Sequence, residues 1–469
     1  MLIVRGFVKG LMSSRFVRDS ATLQAASMIN SLGSLACALA LAHVLGSLQQ
    51  GEFYLAIATY SFLWFSVNLG LYPVATSQLA AAAARGSDYK VAFWIAYLIK
   101  ALLWMGVAFV ILAVAVLPWL AEHVYHTPSM SWSAAYGQPL IKAAALMAFT
   151  PLLELPRSAC CAAFQGTRRM VVLAKVENGQ ECVRVFLVVA GAVITRDAVG
   201  PAVGMLLASC VGSILAVDAY VRETRTGEHP LPKVRMVLGR FKEAPLFYGL
   251  RLGLRLGVTQ NMHALGVNIL PTMVLGFVGN TRWVAYMRLA QRIVDAIRTL
   301  MQGINRTALP YFSELVGLKD LQGLRRAYWR ATMGSGALVS TGVLLIGFLV
   351  PSIVEAFPSD YRDPVWAVFL VLAPGVMVVS FSVANDTFYL VTDNLRVAIT
   401  FGAVQFAVHL ILLAVLGHFY PELGPSVALT IFFFSSVIHP AYAYFWFKRK
   451  AVGDGSGDGA TGIPIGDVS

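Results

Sequence analysis

Residues 285–312 read AYMRLAQRIVDAIRTLMQGINRTALPYF, within a chain that is otherwise mostly apolar. With Arg288 as origin and about 100° per residue, Arg292, Asp295, Arg298, Gln302 and Arg306 fall with it in a sector of about 120°. Arg288 and Arg306 are separated by about 27 Å of helix at about 1.5 Å per residue, close to the roughly 30 Å of a bilayer's hydrocarbon core. A helix that crosses a membrane with a charged face along its whole depth requires partners for that face. Each guanidinium near the bilayer centre costs about 2.5–3.5 kcal/mol on insertion scales. Asp295 neutralises one arginine at three residues' distance. The excess calls for an anion, for water, or for carboxylates elsewhere such as Glu154, Glu177, Glu181 or Asp386.

The rest of the chain makes the membrane reading firm. Of 469 residues, 58% are hydrophobic and 13% charged, and the mean hydropathy is +0.69. Soluble domains carry about 25% charged residues. Because every backbone polar group in lipid must be satisfied within its own segment, runs of about 20 apolar residues predict helical spans. Twelve are expected, at 20–45, 53–83, 91–117, 139–164, 170–194, 198–221, 247–278, 283–312, 328–356, 364–391, 396–417 and 424–447. Lysine and arginine concentrate before the first span and after even-numbered ones, the connector 222–246 alone holding six. Segments after odd-numbered spans hold only Arg196, Arg282 and Arg362. By the positive-inside rule both termini lie in the cytoplasm. The net charge of +12 is then topology, and no nucleic-acid partner is expected.

Five segments follow. Residues 1–19 form a basic segment with an amphipathic pattern, suited to the inner leaflet. Residues 20–221 carry helices 1–6 of an N-lobe, 222–246 are a basic cytoplasmic connector, and 247–447 carry helices 7–12 of a C-lobe. Residues 448–469, rich in Gly and Asp, read as a disordered tail. The halves look related: NLGLYP at 68–73 matches NRTALP at 305–310, and QGTRR at 165–169 matches TDNLR at 392–396. With six spans each, they share one orientation. A parallel repeat of this kind is a transporter plan that places the site between the halves. The fold expected is an all-α integral membrane protein of about twelve transmembrane helices in two six-helix lobes.

Other spans carry compatible stripes. The first has Ser20, Gln24, Ser27, Ser31 and Ser34 on one face. The seventh opens with Arg251 and Arg255 and continues to Gln260 and Asn261. Glu154 with Arg157, and Glu177 and Glu181 with Arg184, read as internal ion pairs. Pro151 and Pro156 predict a bend in the fourth span. The five cysteines, without a CxxC, read as core thiols, neither disulfides nor metal ligands. No cofactor motif occurs, and no GxxxxGK[ST] phosphate loop for ATP.

This pattern resembles the multidrug/oligosaccharidyl-lipid/polysaccharide flippase superfamily, and within it the polysaccharide transporter branch of O-antigen-type flippases. The carrying segments are HVLGSLQQGEFYLAIA at 43–58, NLGLYPVATSQLA at 68–80, FQGTRRMVVLAK at 164–175 and FVGNTRWVAYMRLA at 277–290. The resemblance implies two lobes around a central cavity that alternate access to move polyprenyl-diphosphate-linked oligosaccharides across a bacterial inner membrane. It also implies membrane lipids as surroundings and a place beside glycan polymerase and export machinery. Forked guanidiniums suit a diphosphate, so the substrate-binding residues expected are Arg288, Arg292, Arg298, Arg251, Arg255, Asp295, Gln24 and Asn261. Two other classes compete. A cation-coupled multidrug exporter shares the fold but calls for acidic residues in its cavity. A membrane glycan ligase or polymerase calls for a large outer loop, and the longest here, about 118–138, offers only His123 and His126.

Overall fold

The computed structural model describes residues 15–67, 70–125, 136–167, 169–225, 231–245, 262, 264–299, 308, 311–312, 315–316, 318 and 320–453. Arg251, Arg255, Asn261, Gln302 and Arg306 lie outside the described residues, as does most of the segment 1–19. What is described is helical, without a strand among the described residues.

Helix α1, Arg15–Val67, contains the first expected span and about the first half of the second. The connector expected at 46–52 shrinks to one residue, Gly46, at φ 71° and ψ 173°. Without a Cβ, glycine takes this conformation at no steric cost, so the chain reverses with almost no loop. The second span breaks again before α2, Leu71–Ala84, which Gly70 opens in the left-handed region at φ 65°. Then come α3, Asp88–His123; α4, Pro139–Met147; a turn at Thr150–Leu153; and α5, Leu155–Gly166. The expected bend is there: the pair Pro139–Leu153 and Leu155–Gly166 is bent by 45°. Helices α6, Met170–Thr195, and α7, Val199–Glu223, complete the N-lobe.

In the C-lobe, a π-turn at Leu265–Ile269 leads into α8, Leu270–Phe277. Next are α9, Thr281–Arg298; α10, Leu321–Glu355; α11, Ser359–Val379; and α12, Asn385–Val391. Helices α13, Leu395–Phe419, α14, Gly424–Ser435, and α15, Ile438–Gly453, end the lobe. Among the described residues eight helices are long and apolar enough to cross a membrane, nine with the bent pair. The difference from twelve has plain causes. Two spans merge in α1, the seventh begins in undescribed chain, and α9, with Arg282, Arg288, Arg292, Asp295 and Arg298, is too charged to count as an apolar helix.

The repeat is visible atom by atom. Thr167 closes α5 with its backbone N–H, at 3.0 Å, and its hydroxyl, at 2.7 Å, both donating to Ala163 O, while Arg169 N–H reaches Phe164 O at 2.8 Å. Thr392 closes α12 identically: N–H at 3.1 Å and hydroxyl at 2.7 Å to Phe388 O, with Asn394 N–H on Tyr389 O at 2.9 Å. Helices α3 and α10, 36 and 35 residues long, both begin on a side-chain cap, from Ser87 and Asp320 respectively. The fold is two six-helix lobes of common design.

Helix α1 packs against α9 of the other lobe and against α6 of its own. At the end carrying Gly46, opposite the basic segments, the lobes are sealed. A Cβ on Gly51 would lie 2.0 Å from Thr281 O, and one on Gly276 would lie 2.5 Å from Leu55 Cδ1. Gln50, fully buried, accepts from the Tyr361 hydroxyl at 2.8 Å, and the Tyr286 ring packs edge-on against Tyr361 at 5.3 Å. At the basic end each lobe has its own core. Trp94, Phe164 and Tyr220 belong to one, Tyr328, Phe388 and Phe447 to the other.

Candidate functional site

Helix α9 runs between the lobes with a polar cavity on each flank. The N-lobe cavity, about 500 Å³, is lined by Ser27, Asn30, Ser31 and Ser34 of α1 and by Glu154 and Arg157 at the bend between α4 and α5. Glu177, Gln180, Glu181 and Arg184 of α6, with Arg292 and Asp295 of α9, complete it. The C-lobe cavity, about 610 Å³, is lined by Asn268, Asp295, Arg298, Thr299, Asn385, Asp386, Gln405, Phe432, Phe433 and His439, among others. Ser31 and Asp295 face both.

On the N-lobe side most charges are already matched. Arg184 Nε donates to Glu181 Oε2 at 2.8 Å and its Nη2 bonds Glu181 Oε1, forming a fork. Ser34 Oγ accepts from Arg184 Nη2 at 3.0 Å and donates to Glu181 Oε1 at 3.0 Å. Arg157 Nη2 donates to Glu154 Oε2 at 2.9 Å. The other oxygen, Oε1, receives Gln180 Nε2 at 3.2 Å and Ser209 Oγ at 3.0 Å. Of the ion pairs expected from sequence, Glu154–Arg157 and Glu181–Arg184 are formed and reinforced by amide and hydroxyl donors from neighbouring helices, while Glu177 lines the cavity outside the fork that Arg184 forms with Glu181. Arg292 stands apart: half-buried at the same cavity, it forms no hydrogen bond or ion pair with any of the described residues.

The other charges of α9 are placed differently from one another. Arg298 Nη1 lies 3.6 Å from Asp295 Oδ1, and its guanidinium sits 5.7 Å over the Phe433 ring. Arg288 donates from Nη1 to Gln291 Oε1 at 3.0 Å and Asn268 Oδ1 at 3.3 Å, with its guanidinium 5.9 Å over the Tyr54 ring. It joins α9 to the π-turn and lines neither cavity. The stripe thus splits into three environments: a helix junction at Arg288, the N-lobe cavity at Arg292 and the C-lobe cavity at Arg298. Gln24 donates to Thr299 O at 2.7 Å, and Ser31 shares a 2.6 Å hydrogen bond with the Thr299 hydroxyl. The polar face of α1 is therefore the surface on which α9 lies.

Sequence reasoning passed over Asn30, Gln180, Asn268, Asn385, Gln405 and His439. A signal was available for one pair. Gln180 and Gln405 stand 225 residues apart, as do the helix starts Met170 and Leu395, and they occupy equivalent places in the two cavities.

Residues 16–316 match the family described as polysaccharide biosynthesis protein. The chain belongs to the polysaccharide biosynthesis protein family. The matched segment of this family member takes in the N-lobe and continues through α9. No curated protein matches it by sequence. Its fold is that of the lipid II flippase MurJ in an inward closed conformation, with a TM-score of 0.66 at 13% identity over 89% of this chain and 86% of that one. It is equally that of an inward-facing multidrug resistance MATE family transporter of the MOP superfamily, at 0.63 and 13% over 94% and 96%. A MOP superfamily transporter from Pyrococcus furiosus, described as having a binding pocket of reversed polarity, aligns at 0.63 and 13% over 94% and 97%.

Proposed function

We propose that this family member is a transporter, not an enzyme: a flippase that moves polyprenyl-diphosphate-linked oligosaccharide across the inner membrane by alternating access for polysaccharide biosynthesis. The observation that carries the reading is Arg292. In a cavity whose other cations are bound to carboxylates, its guanidinium has no hydrogen-bond or ion-pair partner among the described residues, which suits it to receive an anion that arrives. A diphosphate accepts two or more of them at once, and charge-assisted hydrogen bonds contribute about 1.5–3 kcal/mol each. Arg298, loosely held by Asp295 on the other flank, is the second cation within the same junction of lobes. The family supports a glycan pathway, and the MurJ-like fold supports a lipid-linked cargo. The seal at Gln50 and Tyr361 supports a state closed at the end away from the basic segments, which the charge bias assigns to the periplasm. Arg251 and Arg255, as entry charges on the seventh span, and Asn261 belong to this proposal as substrate-binding residues.

The test is glycan export in cells making each variant at matched levels. Arg292→Ala is expected to lower export at least tenfold, and Arg292→Lys less, because an ammonium keeps the charge but loses the fork. Normal export by Arg292→Ala overturns the assignment. One observation favours a second reading. Asp386 lines the C-lobe cavity without a hydrogen bond or ion pair among the described residues, and a cation-coupled multidrug exporter would use such a carboxylate. Asp386→Asn separates the two: it abolishes drug export under that reading and leaves glycan export largely intact under the flippase reading.

A further inference from the structure

We propose that the groove between the start of α10 and the end of α15 binds the head group of an anionic phospholipid from the surrounding bilayer, at a site separate from the cavities beside α9. The groove, about 610 Å³, is lined by Arg325, Arg326 and Arg330 with Trp329 on α10, and by Phe447 and Lys450 on α15, among others. No acidic residue lines it. None of the four cations forms an ion pair among the described residues, and Arg326 uses only its Nε, on Gln322 O at 3.4 Å. Their spacing of one turn places the α10 cations and Trp329 on one side of the helix.

Depth identifies the ligand. On α10 the exposed surface is cationic up to Arg330 and turns apolar at Met333, which is 50% exposed and one turn on. On α15, which approaches from the other direction, it is apolar through Tyr444 and Phe445 and turns basic at Lys448. Both helices thus change from hydrocarbon-facing to water-facing at the level of the groove. Trp329, and Trp446 beside Phe447, stand there as aromatic side chains do at membrane interfaces. A phosphate held by the guanidiniums at this level has its acyl chains directed down the apolar face that starts at Met333. Basic pockets between helices at the cytoplasmic surface are suited to acidic lipid head groups.

The repeat supplies a comparison within the molecule. In the N-lobe the corresponding region, at the start of α3 and beyond the end of α7, is covered by protein. Leu231, Val237 and Ala244 are buried there, Lys100 Nζ donates to Ala244 O at 2.7 Å, and Arg240 stacks 4.2 Å over Tyr89. No described segment covers the C-lobe groove in this way.

Full-length protein in nanodiscs of phosphatidylglycerol and phosphatidylethanolamine is extracted, and co-purifying lipid is quantified by native mass spectrometry. Wild type is expected to retain phosphatidylglycerol preferentially. Arg326→Gln and Arg330→Gln are each expected to weaken that retention about fivefold, the worth of one cation at an anionic surface. Arg330→Lys retains binding, which separates lost charge from lost fold. Arg235→Gln, which removes an exposed charge outside the groove, has no effect. Equal loss on Arg235→Gln overturns the site in favour of diffuse attraction. Displacement of the lipid by millimolar inorganic phosphate overturns it in favour of a soluble anion. If phosphatidylglycerol binds only after residues 454–469 are deleted, the tail holds the groove and the proposal fails.

Discussion

Tyr361 of the C-lobe donates its hydroxyl hydrogen to Gln50 Oε1 of the N-lobe, with both residues wholly buried. The same amide donates from Nε2 to Ala38 O at 2.9 Å, so Gln50 is committed on both sides. Tyr361→Phe leaves a buried acceptor without a donor, at a cost of about 1–3 kcal/mol. That cost falls on the sealed arrangement alone, because water supplies the missing partner once the lobes part. Spin labels at Leu48 and Arg282, which line one shallow pocket beside the seal, are expected to show a longer separation more often in Tyr361→Phe. Gly51→Ala, whose methyl would meet Thr281 O at 2.0 Å, is expected to shift the distribution further. Unchanged distances in both variants would mean that the seal does not depend on this contact.

Asp295 and Arg298 form a loose pair on the helix surface, 43% and 24% exposed. Such i,i+3 pairs add about 0.2–0.5 kcal/mol to a helix. Asp295→Asn is therefore expected to leave thermal stability within about 0.5 kcal/mol of wild type while lowering export several-fold, since Arg298 loses the group that orients it. A large fall in melting temperature would assign Asp295 a scaffolding role instead.

Glu154 is expected to behave in the opposite way. It receives Arg157, Gln180 and Ser209 from three directions, and Glu154→Gln takes from Arg157 the only carboxylate it is hydrogen-bonded to among the described residues, leaving Glu177 of the same cavity as a more distant counter-charge. Removing one partner of a buried pair costs about 3–5 kcal/mol, and the partial exposure here brings that to about 2–3 kcal/mol. The measurement is detergent-phase thermal unfolding, in which Glu154→Gln should melt well below Arg292→Ala. Equal melting temperatures would count against the contrast between a scaffold pair and an uncommitted cation.

Sidedness is tested by thiol labelling. Glu422, exposed in the turn between α13 and α14, stands at the end opposite the basic segments. A cysteine there is expected to react with an impermeant reagent on intact spheroplasts. Reaction only after permeabilisation would reverse the orientation.

The connector provides a pH-dependent contact. The Arg240 guanidinium, donating to Glu243 Oε1 at 2.7 Å, together with the Tyr89 hydroxyl on Oε2 at 3.0 Å, holds the Glu243 carboxyl below its usual value. A carboxylate with a depressed value contributes above its unfolded value, about 4.3, and the contribution disappears as pH falls through the folded one. A spin label at Lys242 is therefore expected to become more mobile as pH falls from about 5 to about 3. Arg240→Ala should raise the midpoint toward the ordinary glutamate value, and a midpoint independent of Arg240 would refute the coupling.

Much of this architecture can be read from the chain because membranes impose a coarse code. Twelve apolar runs and an alternation of basic segments specify lobes and topology without any detail of packing. The Thr167 and Thr392 turns were readable for a similar reason, since each closes its helix through contacts four and five residues back. The cavities were harder. A helical wheel projects α9 on one circle and joins Arg288, Arg292 and Arg298 in one stripe, although their side chains enter a junction and two separate chambers. Which chamber each enters depends on α1 lying across the helix, a contact between residues some 270 positions apart. Gly200 and Gly424 each open a helix before a proline and press on the preceding helix, at 2.2 Å from Gly191 O and 2.1 Å from Leu416 O for a hypothetical Cβ, and the shared Gly-Pro is plain in the sequence.

The hydroxyl face of α1 sets where the molecule is easiest to part. Ser31 and Gln24 bind α9 through bonds that water can replace one for one, each with a net worth of only about 0.5–1.5 kcal/mol. Wetting this seam exchanges partners without stranding any of them. The α6 side of α1, where Ser34 meets the Glu181–Arg184 fork, carries full charges and resists the same exchange. Helix α1 is therefore expected to travel with its own lobe and slide on α9, leaving the resistance to opening concentrated at Leu55, Gly276 and the Gln50–Tyr361 bond.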